Sequence, residues 1–193
     1  DAVQAHAETY TGLVEVGVGF LPGWGGTKEM IRRHLGNKRA PRGPMPSLVK
    51  AFELIGTGQV AKSALEAQRD FRIINEDDAI TFNKERVLYD AKHRALGLVE
   101  GYTPPEEETF RLPGATGRAA IDMALHDFHK KGMASDYDVH VGREVAMVLT
   151  GGENADMTTE VTERDLLKLE QKHFIALAKQ PKTLARLEHM LNT

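Results

Sequence analysis

The stretch GLVEVGVGFLPGWGGTKEM, Gly12 to Met30, decides how the chain is read. It sets one carboxylate, Glu15, beside glycines at 17, 19, 23, 25 and 26, then runs into residues of helical pattern. Glycine loses more backbone freedom on folding than any other residue and has no side chain to pack. Five of them in ten positions mark a backbone that must turn tightly, admit a ligand closely, or both. Two phosphate-binding patterns can be tested here, and both fail. A cradle of the form G-x-x-x-x-G-K-[ST] needs lysine before the hydroxyl residue, whereas the order here is Gly26-Thr27-Lys28. A dinucleotide pattern G-x-G-x-x-G begun at Gly17 and Gly19 meets Pro22 in its third glycine position, and one begun at Gly23 and Gly25 ends on Lys28.

Outward from that loop, the composition is that of an ordinary folded chain. Its 193 residues suffice for one sizeable core or two small ones, with 41% apolar and 27% charged residues. The 25 basic and 28 acidic residues leave a net charge of −3, which argues against a protein that grips nucleic acid through a basic face. No apolar run approaches the roughly 20 residues of a membrane-crossing helix. Having no cysteine, the chain has no disulfides, thiolate metal sites or cysteine nucleophiles, and it suits a cytoplasmic setting. Asp1 is followed by neither a charged n-region nor an apolar signal core. DAVQAHAETYTGLVEV reads as the middle of a domain, so a fragment of a longer protein is expected.

The periodicities place helices more firmly than strands. Thr9 to Val18 suggests one or two short strands, and a helix of about two turns is expected from Thr27. After the basic, Pro- and Gly-rich loop Leu35–Pro46, Leu48, Phe52 and Ile55 mark a helix that stops at Gly56 and Gly58. A short helix over Ala61–Arg69, a strand at FRII (Phe71–Ile74) and a long helix carrying Leu88, Ala91, Ala95 and Leu98 follow. TPPEEE, Thr103 to Glu108, marks a boundary between residues 1–100 and 101–193. Beyond Gly114 four amphipathic helices are expected. The first carries Ile121, Leu125 and Phe128, and the second carries Val141, Val145 and Val148 behind a capping box at Ser135 and Asp138. The third runs from Glu163 to Ala178 with Thr162 and Asp165 at its start, and the fourth opens at Pro181. Their apolar stripes must be buried against each other or against a partner subunit.

Glu15, Gly17, Gly19 and the run Pro22-Gly23-Trp24-Gly25-Gly26-Thr27 resemble the crotonase (enoyl-CoA hydratase/isomerase) superfamily. Its P-E-x-x-x-G-x-x-P-G-x-G-G-T segment is matched here with Val14 in place of proline and Trp24 in place of a small residue. AFELIGTGQVAKSALEA, Ala51 to Ala67, is similar to the family's helix-TG-x-x-x-x-A-x-E-A segment. AITFNKERVLYDAKHRAL and TLARLEHML resemble the C-terminal region of bacterial proteins that fuse a 3-hydroxyacyl-CoA dehydrogenase to a hydratase domain. The resemblance implies a mainly α fold with a few short β-strands. Residues 1–100 would be the C-terminal half of a crotonase-type ββα spiral, and 101–193 a helical extension. It also implies a parent enzyme of fatty-acid β-oxidation that adds water to trans-2-enoyl-CoA and oxidises 3-hydroxyacyl-CoA with NAD through an upstream domain.

In that scheme Glu15 is the second of two glutamates that move protons, and Pro22, Gly23, Trp24 and Gly25 form the loop that positions water and substrate. The first glutamate and the oxyanion donors would precede Asp1, so the chain alone is expected to be inactive, with no cofactor and no metal of its own. An acyl-CoA thioester is the implied ligand, and a second copy and a thiolase are the implied partners. Other readings stay open: an enoyl-CoA isomerase on the same fold, or a helical docking and oligomerisation module without chemistry. Glu15 can equally be solvated, Gly25 and Gly26 can serve only the turn into the helix, and Trp24 can line an acyl pocket or pack as a loop aromatic. Lys28, Arg32, Arg33, Lys38, Arg39 and Arg42 either meet coenzyme A phosphates or form a solvated face. His126 and His129, like Glu170 and His173, have metal-ligand spacing. A carboxylate-bridged bundle site needs a second E-x-x-H, however, so all four are read as surface residues.

Overall fold

The computed structural model describes residues 2–192. Among them the order is β1 (Gln4–His6), β2 (Thr11–Gly12), a 3₁₀ turn (Glu15–Val18), α1 (Gly26–Leu35), α2 (Pro44–Gly56), β3 (Val60–Ala61), α3 (Ala64–Arg69) and β4 (Ala79–Thr81). A second 3₁₀ turn (Lys84–Arg86), α4 (Val87–Val99), β5 (Thr109–Phe110), α5 (Gly114–Lys130), α6 (Asp136–Leu149), β6 (Val161–Thr162), α7 (Glu163–Ala178) and α8 (Pro181–Asn192) complete it. The chain divides into two compact units. One joins the residues up to Gly12 with Val60–Glu107, and the other joins Leu13–Gln59 with the residues from Glu108 on.

In the first unit β1 and β4 run parallel, from Gln4 opposite Ala79 to His6 opposite Thr81, and β2 pairs antiparallel with β3. Ser63 caps α3 by accepting from the Glu66 N–H. FRII is not a strand. The N–H groups of Phe71, Ile73 and Ile74 donate to the carbonyls of Glu66 and Ala67, so the segment closes the last turn of α3 while Phe71 and Ile74 are buried. The strand forms later, at Ala79–Thr81.

The second unit is helical. α6 packs along α5 and also meets α1, α2 and α7, and α1 lies on α2. Val141, Val145 and Val148 are buried as their spacing predicts, with Ile31, Leu48 and Leu166 among the fully enclosed side chains. The expected capping box at Ser135 is present, and a second one opens α7. Ser135 and Asp138 exchange hydrogen bonds at the start of α6, and Thr162 and Asp165 do so at the start of α7, each worth about 1 kcal/mol of helix stability.

The chain is mainly helical with a few short strands, but it is not a crotonase-type spiral. Among the described residues its strands are two or three residues long and pair two by two, in three separate ladders: β1 with β4, β2 with β3, and β5 with β6. A ββα spiral needs each turn to extend the sheets of the turn before, and among the described residues no ladder grows past two strands. Among the described residues, no helix is long and apolar enough to cross a membrane.

Candidate functional site

The 3₁₀ turn that carries Glu15 ends at Gly19, whose φ of 86° lies in the left-handed region. The Gly19 carbonyl accepts from Thr183 Oγ1 at 2.9 Å. Thr183 is fully buried and receives the Tyr137 hydroxyl at 2.6 Å. A Cβ on Gly19 would stand 2.9 Å from Thr183 Oγ1 and 3.2 Å from the Tyr137 ring. This glycine therefore answers two demands at once, a left-handed backbone and a close approach by α6 and α8.

The next segment is tied to α7. Phe20 stacks on Phe174 with ring centroids 4.7 Å apart. Thr27 Oγ1 donates to the Pro22 carbonyl at 2.8 Å, and Gly25, with φ of 83°, is the residue that opens α1. The N–H groups of Gly25, Thr27 and Lys28 donate to the two carboxylate oxygens of Glu170 at 2.6, 3.0 and 3.3 Å. A helix N-terminus attracts an anion because its first N–H groups lack partners and its dipole is positive there. In this chain the anion comes from within. Glu170 is only 3% exposed, and burial pushes its carboxyl above the ordinary value against the pull of those three donors.

The surface reading of Glu170 is thus corrected. Its neighbour His173 stands with Nδ1 2.5 Å from Glu144, a contact that leads in holding the Glu144 carboxyl below its usual value. His129 pairs with Asp136 at 2.9 Å. Among the described residues no group of three or more His, Asp or Glu side chains could hold a metal ion. The predicted basic face is largely neutralised at its start. Lys28 pairs with Glu29 and with Glu163 at 2.7 Å, Arg32 with Glu29 and Glu108 at 3.0 Å each, and Arg33 with Glu29 at 3.1 Å.

Of the loop residues singled out in the sequence, Pro22 is a hydrogen-bond acceptor and Gly23 leaves room for the Phe174 ring, which a Cβ would touch at 3.4 Å. Trp24 sits at the loop tip with φ of 55°, its ring fully exposed. Glu15 is half-buried, with Oε2 enclosed and without a hydrogen-bond partner. Neither Glu15 nor Trp24 lines the large cavity of this unit. That cavity, about 720 Å³, opens between the Glu15–Val18 turn, α2, α5 and α6. Phe52, Ile121, Leu125 and Val141 form its apolar walls, Ala120 and Ala124 keep the α5 side thin, and Gly142 lets the Leu125 side chain lie against α6. Among the described residues the charged side chains along it are two carboxylates, Glu53 and Asp138, paired with Lys50 and Arg186. Sequence reasoning missed it, although Ala120 and Ala124, one position before the buried Ile121 and Leu125, were a visible hint of a thin helix flank.

No protein-family model matches the chain. Over 190 residues, 98% of its length, it is 40% identical to a Bacillus subtilis strain 168 protein named "Probable 3-hydroxyacyl-CoA dehydrogenase". It is 28% identical over 187 residues to a protein of Rickettsia felis named "Putative fatty acid oxidation complex trifunctional enzyme". A protein of the same description from Rickettsia prowazekii is 27% identical over 186 residues. The chain spans 23% of the Bacillus protein and 22% of each Rickettsia protein, while 96% to 98% of the chain itself is matched. These findings overturn the enoyl-CoA hydratase expectation. The strongest of these matches runs the length of the chain to a dehydrogenase, an oxidoreductase and not a lyase, and none of the three names says crotonase or hydratase.

Proposed function

We propose that the chain is a helical part of a 3-hydroxyacyl-CoA dehydrogenase of fatty-acid β-oxidation, a cytoplasmic enzyme with an acyl-CoA thioester as substrate and NAD as oxidant. The observation that carries this reading is the 40% identity over 190 residues. Because the chain spans under a quarter of that relative, the oxidation is assigned to the parent as a whole.

The residues present do not fit NAD. A dinucleotide fold offers a strand, a glycine turn and a helix whose free N–H groups receive the pyrophosphate. Here the donors at the start of α1 already hold the Glu170 carboxylate, and β1 leads into another strand, β2. No step of hydride transfer is therefore assigned to these side chains. Their part is to supply a packed helical body to the parent, with a second copy and a thiolase as the partners this reading gives it.

The test measures formation of reduced nicotinamide from a 3-hydroxyacyl-CoA and NAD by the parent protein, beside calorimetry of NAD with the 193-residue chain. The parent is expected to reduce NAD, and the chain to give no binding heat. A parent inactive with every acyl length tried would sink the dehydrogenase reading, and NAD binding by the chain would sink the assignment of the cofactor elsewhere.

A further inference from the structure

We infer that the cavity between the Glu15–Val18 turn, α2, α5 and α6 receives the hydrocarbon tail of an acyl thioester. The choice of ligand rests on the dehydrogenase reading, and the site rests on the structure alone. Every lining residue belongs to the second unit, so the walls are built within one compact body. Its volume, about 720 Å³, lies within the roughly 300–1,000 Å³ of small-molecule sites. Three apolar side chains along it stay open to solvent, Val14 at 49%, Val49 at 53% and Met133 at 70%. Apolar surface gathered in one concavity in this way marks a place that favours an apolar guest.

The chemistry of the lining selects the guest. The Thr57 hydroxyl donates to the Glu53 carbonyl at 2.6 Å. The N–H groups of Gly17, Thr57 and Gly58 donate to the carbonyls of Val14, Glu53 and Ile55. The Glu53 and Asp138 carboxylates are paired with Lys50 at 3.2 Å and Arg186 at 2.8 Å. A sugar, a nucleotide or a peptide would bury polar groups of its own against walls whose donors are already taken, and each unmatched group is costly. A saturated tail asks for no hydrogen bond. It needs only apolar contact, which Phe52, Ile121, Leu125 and Val141 supply. The unbranched Met133 at the rim adapts to tails of different length. Among the described residues no basic side chain lines the cavity, so the carboxylate of a free fatty acid finds no cation there and meets two like charges. A thioester carries no charge at that end of its tail, which favours it over the free acid.

Calorimetry of the 193-residue chain with neutral acyl-pantetheine thioesters tests this, while methyl NMR locates the contact at Ile121, Leu125 and Val141 and circular dichroism follows the fold of each variant. Acetyl-pantetheine should give no binding heat. From hexanoyl- to decanoyl-pantetheine the affinity should rise roughly fourfold for each methylene buried. Decanoate should bind about tenfold more weakly than decanoyl-pantetheine, or less. Ala124→Trp, at an exposed position of the lining, fills the cavity and should abolish the binding. Phe128→Ala enlarges the cavity and should carry the rise in affinity to longer tails. Failure of decanoyl-pantetheine to bind overturns the proposal, as do equal binding of decanoate, an affinity that ignores tail length, and binding that Ala124→Trp leaves intact in a folded chain. The titration contains no NAD and no hydride transfer, so its failure and that of the dehydrogenase reading are seen separately.

Discussion

Replacing Glu170 by alanine should release the glycine loop and cost more stability than any surface substitution on α7. The carboxylate accepts three buried N–H bonds from the first turn of α1, two of them at 2.6 and 3.0 Å and one longer, at 3.3 Å. Hydrogen bonds to a charged group contribute about 1.5–3 kcal/mol each. Two terms reduce their sum. Burial disfavours the ionised carboxyl, as its upward shift shows, and water can reach part of a helix N-terminus once the side chain is gone. A net loss of about 2–4 kcal/mol remains for Glu170→Ala. Glu170→Gln, which keeps one acceptor oxygen, should lose about 1–2 kcal/mol. Urea unfolding followed by far-ultraviolet circular dichroism gives both values, provided the slopes match. Trp24 is fully exposed in the folded chain and makes a poor reporter, so the loop is better followed by amide exchange at Gly25, Thr27 and Lys28, which should quicken in Glu170→Ala. A loss under about 0.5 kcal/mol, with exchange unchanged, would refute the reasoning, because those donors would then be satisfied without Glu170.

Gly19→Ala should cost about 2–3 kcal/mol, since it combines a φ of 86° with a Cβ 2.9 Å from Thr183 Oγ1 and 3.3 Å from the Thr183 backbone. Gly17→Ala, where a Cβ meets nothing within 4 Å, should stay within about 0.5 kcal/mol, and equal losses in the two variants would contradict the clamp by α8. Burial alone would raise the Glu29 carboxyl, but hydrogen bonds from Lys28 and Arg32 outweigh it and hold the group at about 2, below its ordinary 4.5. A lowered carboxyl stabilises the fold above the unfolded value and loses that contribution as pH falls toward the folded one. Glu29→Gln should therefore make the decline in stability between pH 4.5 and about 2 shallower, as measured by urea midpoints across that range, and an unchanged slope would remove Glu29 from the acid response.

What could be read from the sequence was local. The capping boxes at Ser135 and Thr162 each close within three residues, and Pro181 can only begin a helix, so α6, α7 and α8 appear where the pattern puts them. Glu170 was misplaced because its partners lie 142 to 145 positions away, and a charged residue in E-x-x-H on a helix face carries no local mark of burial. FRII has the side chains of a strand, yet its N–H groups are spent on the carbonyls that α3 leaves open. The glycine string posed a real choice between a tight turn and a ligand cradle. Spacing alone could not make that choice, since both uses ask the same of glycine. At the start of α1 the N–H groups of Gly25, Thr27 and Lys28 are taken by Glu170, so there the backbone clamps a side chain of its own protein. The stripe on α4 shows the limit from the other side. Leu88, Ala91, Ala95 and Leu98 announce a face that favours burial, but none of these residues is buried in the folded chain. Periodicity states that an apolar face needs cover and is silent on whether the cover lies in the same chain.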